Sequence, residues 1–179
     1  MSNAVVHALV HDQRLTSIAA NFVGASAVPF RATLFEKTEQ ANWLIAWHQD
    51  TALPLAARFD SPDWGPWSRK SGGLYAIAPD WALSRVIALR LHLDDSTAEN
   101  GPLRVIPASH QDGVLSGAEV LARAVTSVEC LAPCGGVIAM RPLLIHASSK
   151  SINDRPRRVL HIEYADAVEL APGIRLAVA

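Results

Sequence analysis

Two metal-binding side chains stand two residues apart in the segment Trp47-His48-Gln49-Asp50. The apolar run before it, Leu44-Ile45-Ala46, reads as a buried strand. On a strand, residues two apart point to the same side. The spacing therefore aims the His48 imidazole and the Asp50 carboxylate at one point and turns Gln49 away. One further imidazole would complete a set of two histidines and one carboxylate. Such a set leaves open positions on an iron(II) ion, as in non-haem iron oxygenases. A lone H-x-D recurs by chance in many chains, so the rest of the sequence must supply the third ligand.

Seven histidines are available. His7 and His11 lie in an N-terminal helical stretch, and His110 follows Pro107-Ala108-Ser109. His92 and His161 lie on apolar strand-like runs, where a hydrogen-bonded packing role is common. His146 ends the apolar run Leu143-Leu144-Ile145 and opens onto a polar segment. A strand end beside a loop is where a barrel mouth would hold a metal. Spacing alone leaves His146, His92 and His161 as alternatives, beside the reading in which there is no metal site. Arg157 and Arg158 follow His146 by eleven and twelve residues. A guanidinium offers a planar fork that matches a carboxylate. Strand alternation turns only one of the two inward.

The elements that must position these groups are mostly short strands. Residues 1–24 read as helical, with Leu15, Ile18, Ala19 and Phe22 at helical spacing and Gly24 as a C-terminal cap. Strands are expected at 31–36, 42–50, 85–93, 103–107, 128–131, 137–140, 143–146 and 157–165. Residues 37–40 read as a polar turn. Residues 51–73 read as a long loop, because Pro54, Pro62, Gly65, Pro66, Gly72 and Gly73 punctuate them. A short helical turn is expected at 79–83 and a helix at 116–124. Many short strands separated by turn residues indicate an all-β sandwich or barrel with flanking helices.

Composition narrows the class. The chain has 179 residues, half of them apolar, and a net charge near −1. It can bury the core of one globular domain, taken here as residues 1–179. Nothing indicates nucleic acid or an anionic membrane surface as a partner. No apolar run approaches the roughly 20 residues of a membrane span, and no signal peptide is legible. The spacing of Cys130 and Cys134 matches neither a zinc knuckle nor a redox pair, so reduced thiols are expected. The expected compartment is the cytoplasm. The sequence leaves the oligomeric state open.

Four stretches, in order, resemble the phytanoyl-CoA dioxygenase family of iron(II)- and 2-oxoglutarate-dependent oxygenases. They are Leu34-Phe35-Glu36-Lys37 with Asn42-Trp43 leading to His48-Gln49-Asp50; Leu91 to Asp95 through Glu99-Asn100-Gly101-Pro102-Leu103 to Ile106-Pro107-Ala108-Ser109-His110; Pro142 to Ser148; and Arg157-Arg158 leading to Tyr164. The second is the most specific. Together they span residues 31–166, with residues 1–30 as an N-terminal helical segment.

The resemblance implies a double-stranded β-helix, a jelly-roll or cupin-like barrel with Fe(II) at its open end. It implies His48, Asp50 and His146 as the metal ligands. It implies Arg157 as the anchor for the distal carboxylate of 2-oxoglutarate, with Arg158 as the alternative in a shifted register. It implies an aromatic from the loop after H-x-D beside the cosubstrate, Trp67 first and Trp64 second. The implied reaction is hydroxylation of a small organic molecule with O2, releasing succinate and CO2. Asp50 argues against halogenation, since related halogenases lack this carboxylate. Three departures stand out. Ala108 replaces a glycine, Ser151 replaces an asparagine, and little chain precedes the core. The rival readings are another cupin-like metalloenzyme and a non-catalytic ligand-binding barrel. Arg58, Lys70 and Arg90 are candidates for a substrate anion, against a solvated surface role for each.

Overall fold

The computed structural model describes residues 3–70 and 72–178. Two short helices open the chain, α1 (Ala4–Val10) and α2 (Gln13–Val23). The single helical stretch expected from the sequence is broken because Asp12 caps α2. Its carboxylate accepts the Arg14 N–H, and its own backbone is extended. Gly24 closes α2 with φ 96° and donates its N–H to the Ala20 carbonyl. Then follow β1 (Val28–Lys37), β2 (Ile45–His48), β3 (Ala52–Leu55), β4 (Trp67–Lys70), β5 (Gly73–Ile77), α3 (Asp80–Leu83), β6 (Val86–His92) and β7 (Leu103–Val105). The remaining elements are α4 (Gly117–Arg123), β8 (Val128–Cys130), β9 (Val137–Met140), β10 (His146–Ser148), β11 (Arg157–Ala165), β12 (Glu169–Ala171) and β13 (Ile174–Arg175).

Two four-stranded sheets carry the fold. Their strand orders are β1-β11-β6-β9 and β2-β10-β7-β8. Apart from the consecutive pair β7–β8, neighbours in these orders are not successive strands, so both sheets contain crossovers. This is a double-stranded β-helix. The long strands β6 and β11 read as nearly continuous buried runs, as strands covered on both faces do.

The chain divides into two compact units. The first comprises Met1–Ala32, Thr51–Leu89 and Ile162–Ala179, and the second Thr33–Asp50 and Arg90–His161. In the first, the segment expected to be a loop forms an antiparallel sheet, β3-β5-β4. Pro54 sits on its edge strand opposite Tyr75, where a missing N–H is tolerated. The Tyr164 hydroxyl donates to the Val10 carbonyl at 2.8 Å and ties α1 to the end of β11. In the second unit, Leu103, Val105 and Met140 form a buried apolar cluster with Cys130 and Leu144 against it. Ser116 and Glu119 cap α4 reciprocally, the arrangement a capping box predicts.

Several strand bounds differ from expectation. β2 ends at His48, so Asp50 lies just beyond the strand rather than on it. β10 begins at His146, where the sequence reading ends its strand, because residues 142–144 turn. Lys37, expected in a polar turn, ends β1 and is buried. Among the described residues, no helix is long and apolar enough to cross a membrane.

Candidate metal centre

The centre is assembled in the second unit from one strand end and one strand start. His146 is the antiparallel partner of His48 across the β2–β10 ladder. Residues directly opposite each other share a sheet face, and the two ring centroids are 4.2 Å apart. Each imidazole is oriented by the same device. The His48 Nδ1–H donates to the Ala46 carbonyl and the His146 Nδ1–H to the Leu144 carbonyl, both at 2.8 Å. Each bond fixes the tautomer and leaves Nε2 with a free lone pair, as metal-binding histidines require.

Both Nε2 atoms face Asp50. One carboxylate oxygen is 3.7 Å from His48 and the other 3.6 Å from His146. Donor atoms around a shared ion with bonds of about 2.1 Å stand roughly 3 Å apart. This cluster is therefore slightly open but of the right size, and its three ligand atoms lie within 4.8 Å of one another. His146 is 7% exposed, whereas His48 and Asp50 are 40% and 41% exposed. One wall is closed and the other is accessible. Burial pushes the His146 pKa down, with Asp50 opposing and His48 adding to the shift. The neutral ring is the metal-binding form.

Gln49, between the two ligands, is the residue the sequence reading passed over. It is buried, and its amide donates to the carbonyls of Gly113 at 2.9 Å and Leu143 at 2.8 Å while accepting the Leu115 N–H at 2.8 Å. The Asp50 N–H donates to the Pro142 carbonyl at 2.9 Å. These bonds hold the turn that brings Asp50 back toward the histidines. Nothing in the local sequence announces them, because their partners are 64 to 94 residues away.

Arg157 is buried, with Nε donating to the Asn100 carbonyl at 3.2 Å and Nη2 to Ser148 Oγ at 3.3 Å. Its Nη1 is buried and has no partner among the described residues. Arg158 points outward into a two-bond pair with Asp94, at 2.9 and 2.8 Å. His161 meets Arg90, and His92 is buried, so neither alternative histidine joins the triad. Trp67 and Trp64 lie in the first unit, each edge-on to Phe59 at 5.2 and 5.3 Å. With Arg58, Asp60 and Ser61 they line an open cavity of about 600 Å³. Arg58 and Lys70 are exposed, and Arg90 is not.

A double-stranded β-helix with a two-histidine, one-carboxylate cluster defines the non-haem metalloprotein class to which this chain's fold and donor set correspond. The sequence matches the family described as phytanoyl-CoA dioxygenase (PhyH) over residues 1–159, and the chain belongs to that family. It is 26% identical over 186 residues to an L-proline trans-4-hydroxylase from Streptomyces griseoviridis, covering 87% of this chain and 61% of that protein. Among solved structures it is similar to AviO1 from Streptomyces viridochromogenes Tue57, with a TM-score of 0.65 and 26% identity over 99% of this chain and 66% of the other. It also shares its fold with EctD from S. alaskensis, solved with 2-oxoglutarate and 5-hydroxyectoine. There the TM-score is 0.69 and the identity 22%, over 94% of this chain and 54% of EctD. The chain thus spans about three fifths of the curated relative it matches.

Proposed function

We propose that this chain is an Fe(II)- and 2-oxoglutarate-dependent oxygenase domain that hydroxylates a small organic molecule. The observation that carries the reading is the pairing, in one compact unit, of the His48–Asp50–His146 cluster with a buried guanidinium, that of Arg157, whose Nη1 has no partner among the described residues. A buried donor without an acceptor is costly, and a carboxylate is its natural partner.

His48 and His146 would give neutral Nε2 donors to Fe(II), and Asp50 would lower the ion's charge by one. Three ligands leave the remaining positions for cosubstrate and O2. Iron, when bound, would activate O2 as the oxidant, with 2-oxoglutarate as co-reductant: one oxygen atom would enter the substrate C–H bond and the other the succinate formed as CO2 leaves. Arg157 would hold the distal carboxylate of 2-oxoglutarate, backed by the Ser148 hydroxyl and the Asn100 carbonyl that fix its fork. Its burial excludes water and strengthens a charge-assisted pair. Arg158, exposed and paired with Asp94, is assigned no part. The two free thiols fit a reducing compartment such as the cytoplasm.

The test is anaerobic. Fe(II) and 2-oxoglutarate are added to metal-free protein, and the weak visible band of chelated 2-oxoglutarate is followed. The band is expected in the wild type and absent in His48→Ala. Iron binding without the band would favour a cupin-like metalloenzyme of another type. No iron binding would favour a ligand-binding barrel.

A further inference from the structure

The parts of β1, β6 and β11 that belong to the second unit gather cations on one buried face. Alternation places Arg90 and His92 together on β6, Arg157 and His161 together on β11, and Phe35 and Lys37 together on β1. Lys37, Arg90 and Arg157 are 2%, 7% and 3% exposed. Among the described residues of this unit no carboxylate is buried with them; further along β11, in the first unit, the buried Glu163 is already paired with Arg31 at 3.3 Å. Asp50, at the metal centre and half-exposed, is the acid whose field reaches Arg90.

The three cations differ in how well they are partnered. The Lys37 amine donates to the Ser149 carbonyl. Arg157 has the two partners described above. Arg90 gives one Nη1 contact to His161 Nδ1 at 3.2 Å and lies over the Phe35 ring at 5.6 Å. Among the described residues its Nε has no partner, and neither does either ring nitrogen of His92, two residues on and on the same face. Burial and the nearby Arg90 and Arg157 hold the His92 pKa down to about 4, so the ring is neutral at physiological pH and offers one N–H. Burying a guanidinium without a counter-charge is strongly unfavourable, so such groups are normally found with an anion.

Charge accounting shows that the cosubstrate alone does not supply it. Doubly charged iron, the Asp50 carboxylate and dianionic 2-oxoglutarate sum to one negative charge. Arg157 and Arg90 carry two positive charges, and Lys37 adds to the excess. At least one positive charge is left for a further anion. We infer that the substrate of this oxygenase bears a carboxylate, bound by Arg90 Nε with the His92 imidazole N–H as second donor. This rests on the oxygenase reading above. A carboxylate fits better than a phosphate dianion because Arg90 already shares one side of its fork with His161.

The experiment uses the anaerobic Fe(II)–2-oxoglutarate protein and matched probes: hexanoate and hexanamide, benzoate and benzamide, with phenyl phosphate as a third arm. Displacement of the visible band on probe binding is read, together with succinate release in air. The acids are expected to shift the band at concentrations at least tenfold below their amides. Arg90→Gln should erase that preference while its half-saturation by 2-oxoglutarate stays within threefold of wild type. Arg90→Lys should keep the preference. A melting curve for each variant establishes that it is folded. Amides matching acids, no response to either acid, or a preference for phenyl phosphate would each overturn the inference. So would an Arg90→Gln that needs far more 2-oxoglutarate, which would assign Arg90 to the cosubstrate instead. A wild type without the band fails at the earlier step and takes the oxygenase reading down with it.

Discussion

His146 stands directly across an antiparallel ladder from His48, and both rings are pinned by an Nδ1–H bond to the carbonyl two residues before them. The sheet, rather than a flexible loop, therefore sets the spacing of two of the three metal donors. Metal binding should need little rearrangement of these rings. At a hundredfold excess over its dissociation constant, a divalent ion stabilises a protein by about 2.7 kcal/mol. For a chain of this size that raises Tm by roughly 5–10 °C. Calorimetry with Fe(II) or Co(II) should show this rise in the wild type and its reversal by EDTA. His48→Ala and His146→Ala should show neither.

Arg157 and Arg158 are neighbours with opposite fates. Arg157→Met should raise the 2-oxoglutarate concentration needed for half the anaerobic band by at least tenfold, because it removes a buried charge-assisted partner. Arg158→Met breaks an exposed pair with Asp94 and should leave the titration unchanged. Equal effects of the two would contradict the assignment.

Gln49 makes three bonds to backbone from between two ligands. Gln49→Ala leaves buried backbone groups unpaired and should cost about 2–4 kcal/mol in urea unfolding. It should also weaken metal binding with every ligand still present, since Asp50 loses the anchored turn beside it.

Ala108 adopts φ 64°, a left-handed conformation in a residue with a Cβ. Ala108 stands where the family resemblance expects glycine, and a Cβ is strained in this conformation. Ala108→Gly should therefore stabilise the protein by about 1 kcal/mol. A midpoint that stays the same or falls would mean that the unfolded-chain entropy added by glycine outweighs the strain relieved.

His92 gives the acid limb of stability a specific origin. Burial, then Arg90 and Arg157, lower its folded pKa to about 4, against 6.5 for a free imidazole. Between these values the unfolded chain binds a proton that the folded chain refuses. Stability should thus fall as pH drops from about 6.5 to about 4, and this contribution should level off below. His92→Gln should flatten the difference across that window, measured by urea midpoints of metal-free protein.

Local chemistry made much of this legible in the sequence. The H-x-D pair is legible from residue types, although a turn held by distant partners, not strand alternation, brings Asp50 to the histidines; the alternation separating Arg157 from Arg158 is a property of neighbouring residues. So is the Gly24 helix end. Backbone geometry alone turns these patterns into direction. Family motifs then pointed to His146 and Arg157 from outside that local logic. What remained was decided by pairing between distant segments. Nothing near Gln49 announces partners at Gly113, Leu115 and Leu143. Nothing near Lys37 announces the Ser149 carbonyl. The prolines and glycines of residues 51–73 read as a loop, yet an edge position lets Pro54 sit in a sheet. Among seven histidines, the β2–β10 register places His146 opposite His48, while burial beside Arg90 sets His92 and His161 apart. Register and burial are long-range quantities. They depend on which strands close over which, and that is settled only when the sheets form.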